Sequence, residues 1–179
     1  MSYQNKYRTK SLRLKGWNYS NLGSYYVTIC TKRKKYYFGD IRNRKMILNG
    51  LGKIAEEFLI KIPEHNSNVE IDYFIVMPNH IHLIIIIFGK RSDVACNVAT
   101  NTNKMSMISP KAGSLSTIIR SHKSAVTKWA KQNDHCNFAW QPRFYEHIIR
   151  NKKSLFQIRK YIKLNPLKWE IDKENPINN

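Results

Sequence analysis

Hydrophobic positions along the chain recur with two different periods, and each period predicts a type of element. Residues 24–31 and 69–76 are rich in β-branched and aromatic side chains, and residues 80–88 are almost wholly apolar, as expected of strands. Over residues 46–62 the apolar positions recur at intervals of three and four, which predicts an amphipathic helix ended by Pro63. Only a short break separates the second and third strands, so we expect them to be antiparallel neighbours.

The second half of the chain again alternates helix and strand. Residues 115–129 predict a helix with one apolar stripe, residues 144–149 predict a strand, and Asn151 is a candidate cap for a last helix that runs to about residue 165. The segment 90–113 has no sustained period, which predicts a long loop or mobile insertion. The order β-α-β-β-α-β-α favours an α+β fold, with a ferredoxin-like antiparallel sheet and its helices packed on one face.

Composition limits what such a fold can bind. The chain has 179 residues, and its 31 Lys and Arg against 12 Asp and Glu give a formal net charge of +19. One domain over residues 1–179 is the default at this length, with a basic arm at about 1–20 and a polar, frayed tail at about 170–179. So large a positive charge favours a polyanionic partner, either nucleic acid or an anionic membrane.

Several protein classes are disfavoured by features that the sequence lacks. No apolar run reaches the roughly 18 residues of a membrane span, and the basic first residues have no apolar core of the kind found in secretory signals. The three cysteines, Cys30, Cys96 and Cys136, form no closely spaced pair, which argues against a disulfide framework or a zinc ribbon. We therefore expect a cytoplasmic protein with no membrane partner.

The sharpest chemical feature is His80-Ile81-His82, which lies within a predicted strand. Side chains two residues apart on a strand face the same way, so the two imidazoles project together while Ile81 projects from the other face. Two neighbouring imidazoles suit one divalent metal ion. A pair of hydrogen-bonded histidines at a strand edge is the structural alternative, and the motif alone does not decide between them.

A second feature lies in the predicted last helix, where Tyr161 and Asn165 are four residues apart. This spacing places both on one face if the last turn stays helical, although Pro166 disfavours helical geometry at Asn165. A phenol can act as a covalent nucleophile on phosphorus, and an amide oxygen can complete the ligand set of a metal. The structural alternative is a half-buried helix tyrosine followed by an asparagine that ends the helix.

Together the two features resemble a known family. The motifs are residues 77–83 (MPNHIHL), 140–150 (WQPRFYEHIIR) and 161–166 (YIKLNP). They are similar to those of the single-tyrosine HUH transposases, and more closely to those of the REP-associated tyrosine transposases of the IS200-like superfamily. The resemblance extends over roughly residues 8–170.

This resemblance implies a HUH motif on a central strand and a nucleophilic tyrosine on the C-terminal helix. It implies that His80, His82 and Asn165 bind Mg²⁺ or Mn²⁺, and that Tyr161 cleaves single-stranded DNA at a hairpin sequence. The products would be a 5′-phosphotyrosyl enzyme and a free 3′-OH. Two imidazoles and an amide form a neutral set that would hold a hard cation weakly, and zinc is the rival because it accepts imidazole readily.

Basic and aromatic residues outside this core are candidates for binding the DNA. The cations are Arg8, Lys10, Arg13, Lys15, Arg120, Lys123, Arg143 and Arg150. The tyrosines that we expect to stack on unpaired bases are Tyr19, Tyr25, Tyr36 and Tyr37.

Two other functions stay open from the sequence. A ferredoxin-like sheet with aromatics and a basic surface also suits a non-catalytic RNA- or DNA-binding module, but such a module does not need the histidine pair together with Tyr161 and Asn165. A replication or plasmid-relaxation initiator of HUH type is disfavoured by the short chain. We expect a monomer, with a dimer as the alternative, and no residue is an obvious general base.

Overall fold

The computed structural model describes residues 22–89, 113–172 and 174–176. The basic arm predicted at about residues 1–20 lies outside the described residues, as does the insertion predicted at 90–113 except for Gly113. No helix in the described part of the chain is long and apolar enough to cross a membrane. In chain order the elements are β1 (Gly23–Cys30), β2 (Gly39–Arg42), β3 (Lys45–Leu48), α1 (Gly50–Ile60), α2 (Ile62–His65), β4 (Val69–Val76), β5 (His80–Ile87), α3 (Leu115–Gln132), β6 (Tyr145–Ile149) and α4 (Lys152–Leu164), with 3₁₀ turns over Lys32–Lys34 and Pro166–Ile171.

Four of the strands form one antiparallel sheet in the order β4-β5-β1-β6. A short turn joins β4 to β5, α1 and α2 lie between β1 and β4, and α3 lies between β5 and β6. This is the split βαβ arrangement of ferredoxin-like folds. The predicted α+β fold with an antiparallel sheet is therefore confirmed, and β5 is an interior strand of that sheet.

The two faces of the sheet carry different helices. Ile81 of β5 packs with α1 and α3 in the main core, whereas Ile84 packs with Ile162 of α4 on the opposite face. Because successive strand residues alternate between faces, His80 and His82 share the α4 face with Ile84. The prediction of helices on one face holds for α1 and α3 and is wrong for α4, whose apolar side chains cover a second cluster.

The start of α1 differs from the prediction. The predicted helix over residues 46–62 begins only at Gly50, because residues 45–48 pair with β2 in a separate two-stranded ribbon. Asn49 ends this ribbon and caps the helix, since its Oδ1 accepts a hydrogen bond from the Gly52 backbone N–H at 2.9 Å. A Cβ on Gly52 would lie 2.1 Å from the Phe38 carbonyl oxygen, so the helix approaches the ribbon more closely than another residue would allow.

The described C-terminal residues pack against the sheet. Trp169 is buried within the last 3₁₀ turn, and Asp172 and Asn175 are 7% and 2% exposed. The Tyr36 hydroxyl donates to Asn175 Oδ1 at 2.9 Å, and the Glu174 carbonyl accepts from an amide beside β5. The prediction of a frayed tail from about residue 170 is therefore wrong for the described residues 170–172 and 174–176, because their polar groups find partners in the fold.

Candidate metal centre and nucleophile

His80 and His82 begin strand β5 and lie on the face that α4 covers. Both side chains are buried, at 0% and 1% exposure, and their Nε2 atoms are 3.0 Å apart. Ile81 between them is buried in the main core. The two imidazoles therefore project together, as the strand alternation predicts.

Asn79 fixes the orientation of His80. The Asn79 amide nitrogen donates to the Lys34 carbonyl at 3.0 Å and to the Glu174 carbonyl at 2.8 Å, so its Oδ1 is left to accept from His80 Nδ1 at 2.8 Å. A neutral histidine that donates from Nδ1 carries its lone pair on Nε2. Burial, helped by the Lys34 charge, lowers the pKa of His80 to about 3. The ring is thus neutral at physiological pH, as a metal ligand must be.

His82 contacts two hydroxyl groups on the side away from His80. Its Nδ1 lies 2.8 Å from Tyr26 Oη and 3.0 Å from Thr28 Oγ1, and Thr28 donates to Tyr26 at 3.2 Å. Because a hydroxyl both donates and accepts, either tautomer of His82 has a partner at Nδ1. His82 can therefore carry its proton on Nδ1 and present the lone pair of Nε2 to a metal ion.

Tyr161 lies at the edge of this site and is 38% exposed. Its Oη is 3.5 Å from His82 Nε2, and its ring packs edge-on against Tyr26 with 6.3 Å between ring centroids. Burial and the Asp172 carboxylate raise the pKa of Tyr161 to about 12, against the opposing effect of a hydrogen bond from Asn165. With these neighbours alone the phenol keeps its proton at physiological pH.

Asn165 lies beside Tyr161 with an unsatisfied oxygen. It retains helical backbone angles, φ −58° and ψ −44°, although Pro166 follows. Its Nδ2 donates to Asp172 Oδ2 at 2.9 Å, while its Oδ1 is buried and has no hydrogen-bond partner among the described residues. Leaving a buried acceptor unpaired costs about 1–3 kcal/mol, and a bound cation would remove that cost.

Asp172 adds an acidic group that the sequence reasoning did not propose. Ligand atoms of His80, His82 and Asp172 all lie within 4.8 Å of one another, and the three residues are buried. The neutral ligand set expected from the sequence does not include this carboxylate, which lies close to both imidazoles. Periodicity gives no signal for Asp172, because the residues between Asn165 and Asp172 form a 3₁₀ turn, Pro166–Ile171, and do not continue helix α4.

This donor set suits a divalent cation. Two imidazole nitrogens and a carboxylate oxygen lie within 4.8 Å of one another, a mixture of donors that divalent metals accept. The buried Asn165 Oδ1, which has no hydrogen-bond partner among the described residues, is a further oxygen donor.

The cations predicted to bind DNA are dispersed in the structure. Arg120, Arg143 and Arg150 are exposed, whereas Lys123 is half-buried and donates to the backbone carbonyls of Gln141 and Arg143 at 2.7 and 3.0 Å. Lys123 thus holds a loop rather than projecting freely into solvent. Arg120 and Lys123 lie on α3, across the sheet from the histidine pair. The predicted cations of the N-terminal arm, Arg8, Lys10, Arg13 and Lys15, lie outside the described residues.

A basic segment outside that predicted set lies next to the site. Residues 32–45 contain one acidic side chain, Asp40, and seven cations: Lys32, Arg33, Lys34, Lys35, Arg42, Arg44 and Lys45. Arg42 and Lys45 lie directly opposite each other on β2 and β3, and the like-charge repulsion of this pair is offset in part by Asp40, which lies 3.6 Å from the Arg42 Nε. Tyr36 connects this basic segment to the C-terminal turn beside the site, since the centroids of the Tyr36 and Trp169 rings are 5.8 Å apart.

The tyrosines predicted to stack on bases have different environments. Tyr25 is fully buried in the main core, so that prediction is wrong for it, because alternation along β1 turns it away from the α4 face. Tyr36 is exposed, Tyr37 is half-buried, and Tyr19 lies outside the described residues. Tyr145 was not among the tyrosines predicted to stack on bases. It is exposed on β6, directly opposite Thr28 of β1, which contacts His82.

Comparison of the sequence with known proteins gives one relative over nearly the whole chain. No protein-family model matches the sequence. An uncharacterized protein from Haemophilus influenzae is 41% identical over 166 residues, which are 91% of this chain and 91% of that protein. Identity of this extent over both chains places them in one family.

Comparison of the structure with solved structures relates the fold to transposases. The REP-associated tyrosine transposase bound to a REP hairpin has a TM-score of 0.54 and 22% identity, and the match covers 93% of this chain and 76% of that one. A provisionally named transposase from Deinococcus radiodurans has a TM-score of 0.44, at which a shared fold does not follow. The resemblance to REP-associated tyrosine transposases is thus confirmed in the fold, and the chain belongs to one family with the Haemophilus influenzae protein.

Proposed function

We propose that this protein is a metal-dependent endonuclease and strand transferase for single-stranded DNA, which acts through a 5′-phosphotyrosine on Tyr161. The observation that carries this proposal is the position of Tyr161 Oη, 3.5 Å from His82 Nε2 within the buried cluster of His80, His82 and Asp172. A module that only binds nucleic acid needs neither a metal cluster nor a phenol beside it. The structural neighbour with the same fold is bound to a REP hairpin, which supports hairpin DNA as the substrate.

The metal-binding residues are His80, His82 and Asp172, with Asn165 Oδ1 as a fourth donor. Mg²⁺ or Mn²⁺ in this position would polarise a phosphate oxygen, neutralise the charge that develops on it and favour the phenolate form of a nearby tyrosine. The chain orients both imidazoles for this purpose. Asn79 does so for His80, and the hydroxyls around Nδ1 do so for His82.

Tyr161 makes the covalent bond in the proposed reaction. Its oxygen attacks phosphorus and loses its proton, while the 3′-oxygen leaves with the electron pair of the broken P–O bond and is protonated. The phosphodiester energy is retained in the phosphotyrosine, so attack by another 3′-OH rejoins strands without ATP. Because the pKa of Tyr161 is raised to about 12 by burial and by Asp172, the phenol has to be activated when metal and DNA are bound.

The basic segment 32–45 is the surface that we assign to the DNA backbone. It contains seven cations against one acid and contacts the C-terminal turn through Tyr36 and Trp169. Exposed Tyr36 and Tyr145 offer aromatic faces on which unpaired bases can stack. A single strand held there would pass the edge of the site where Tyr161 is exposed.

The test is the formation of a covalent adduct that survives SDS. The protein is incubated with single-stranded hairpin DNA and Mn²⁺, with the label on the 5′ or on the 3′ end. A 5′-phosphotyrosine keeps only the 3′-labelled fragment on the protein. Tyr161→Phe and His82→Ala should abolish the adduct, while Tyr145→Phe should retain it as a matched control on an exposed tyrosine.

Two results would overturn the proposal. An adduct that persists in Tyr161→Phe would exclude this tyrosine as the nucleophile. Tight hairpin binding by wild type, without an adduct in Mg²⁺ or Mn²⁺ and unaffected by His82→Ala, would favour a non-catalytic binding module.

A further inference from the structure

Helix α4, which carries Tyr161, has a small apolar contact with the sheet. Ile162 is its fully buried residue, and it packs with Ile84 and Ile149 while Ile158 is partly buried beside them. The outward face of the helix is exposed. So small a cluster leaves the position of the helix to be determined partly by polar contacts.

A β-bulge in β4 reverses the direction of the side chains along this strand. Ile71 lies opposite Ile85 and Tyr73 lies opposite Ile84, so Asp72 is an extra residue between two regular pairs. Val69 and Ile71 belong to the main core, whereas Tyr73 and Ile75 pack under α4. A regular strand would keep all four of these odd-numbered residues on one face.

The bulge residue is bonded to α4 by two parallel contacts. Arg159 Nε donates to Asp72 Oδ2 at 2.8 Å, and Arg159 Nη2 donates to Asp72 Oδ1. Two parallel bonds fix the orientation of a guanidinium relative to a carboxylate, which a single bond does not. The Asp72 side chain is 11% exposed and that of Arg159 is 45% exposed, so the pair adds little to global stability.

We infer that Asp72 and Arg159 form a clamp that positions Tyr161 relative to the histidine pair. Arg159 lies two residues before Tyr161 on α4, and β4 is hydrogen-bonded to the strand that carries His80 and His82. The clamp therefore joins the element that carries the nucleophile to the sheet that carries the metal ligands. Both are positioning residues, and the inference rests on the proposed function of Tyr161.

The first test compares Asp72→Asn and Arg159→Lys with the wild type. Asp72→Asn should slow single-turnover adduct formation at saturating hairpin DNA by about 10- to 100-fold, because an error of about 1 Å in position has this effect. Arg159→Lys keeps a charge without the planar fork, so its loss should be smaller. The hairpin Kd and the Mn²⁺ affinity should stay unchanged, because neither residue belongs to the metal cluster or to the basic segment.

Hydrogen exchange of the α4 amides gives a readout that does not depend on activity. Exchange in α4 should become faster in both variants, while exchange in β5 and α3 stays at the wild-type rate. Glu57→Gln is the matched control, because it removes the ion pair between Glu57 and Lys61 that lies at the end of α1. This control should leave both the adduct rate and the α4 exchange unchanged.

The outcomes separate the clamp from the proposed function. Wild-type adduct rate and wild-type α4 exchange in Asp72→Asn would overturn the clamp, as would a uniform increase of exchange across the whole sheet. Absence of any adduct in wild type would refute the proposed function, and faster α4 exchange in Asp72→Asn would still support the attachment of the helix by this pair.

Discussion

The two faces of the sheet are built from the same strands and differ in what they bury. The face under α1 and α3 carries a continuous apolar core that includes Ile81 and Leu83 of β5. The face under α4 has three buried isoleucines, and beside them lie buried polar groups such as His80, His82 and Thr28. Apolar burial stabilises the fold by about 25 cal/mol per Å², so most of the stability comes from the first face.

Residues that stabilise the fold and residues of the candidate site therefore lie on opposite faces of the same strand. Most buried polar groups on the α4 face have specific hydrogen-bond partners. The exception is Asn165 Oδ1, which has none among the described residues. Substitutions on this face should therefore alter metal binding or the nucleophile more than the free energy of unfolding. Substitutions on the other face should do the reverse.

The largest contrast is expected between neighbours on β5. His82→Ala should reduce adduct formation below detection and change the free energy of unfolding little, because Tyr26 and Thr28 can still bond to each other. Leu83→Ala should lower that free energy by about 2–5 kcal/mol, since Leu83 is fully buried in the main core. Urea unfolding and the adduct assay measure the two effects. Equal destabilisation by both variants would refute the division between the faces.

Asp172→Asn is expected to change the metal site more than the fold. The carboxylate accepts from Asn165 Nδ2 and from the Glu174 backbone N–H, and the amide keeps an oxygen for only one of these donors. Because the variant also removes the charge, Mn²⁺ affinity, measured by electron paramagnetic resonance, should fall about 10- to 100-fold. Because the Asp172 carboxylate raises the pKa of Tyr161, the phenol should titrate at lower pH in the variant without metal. Glu57→Gln on α1, whose carboxylate pairs with Lys61, is the control; an equal loss of affinity there would contradict a specific role for Asp172.

Acid should destabilise the protein through a buried histidine on each face. Burial lowers the pKa of His80 to about 3 and of His122 on α3 to about 4, whereas an unfolded histidine titrates near 6.5. Between these values the unfolded chain binds protons that the folded chain does not, so the free energy of unfolding falls as pH drops from 6.5 towards 5. His122→Leu should reduce this slope and leave adduct formation intact. A flat profile in wild type would contradict neutral buried rings.

The smallest effect is expected from the ribbon formed by β2 and β3. The double variant Arg42→Ala, Lys45→Ala should weaken hairpin binding several-fold. The slope of the logarithm of the binding constant against the logarithm of salt concentration should become shallower by about 1–2. The adduct rate at saturating DNA should not change, since the ribbon is not part of the metal cluster. Arg120→Ala on α3 is the control, because it lies across the sheet from the site. A larger loss in Arg120→Ala would assign DNA to the opposite face.

The sequence predicts those parts of the site that local periodicity controls. His80 and His82 share a face because they are two residues apart on a strand, and Tyr161 lies near Asn165 because they are four apart on a helix. Asp172 was missed because it lies in a polar segment that carries no sequence motif. It comes close to the histidines only through the packing of that segment against the sheet. Its partners are long-range in sequence, and periodicity does not report such contacts.

The ribbon and the bulge were missed for different reasons. The turn at Asn43 and Arg44 has φ of 51° and 60°, a geometry that Asn-Gly usually signals, and here an arginine takes the place of glycine. The apolar residues just after this turn also continue the helical period of α1. The bulge at Asp72 has no sequence signal. The residues on both sides of Asp72 include apolar side chains at odd and even positions, so either face of the strand can be the buried one.

The two histidines also determine how β5 aligns with its neighbours during folding. Residues 84–87 are all isoleucine, so a shift of this segment by one residue against β1 exchanges identical side chains between the faces. The same shift at the other end would place both imidazoles among the apolar side chains of the main core, where they have no polar partner. The histidine pair thus also specifies strand register, and replacing both histidines with isoleucine should give a sheet that mispairs and aggregates.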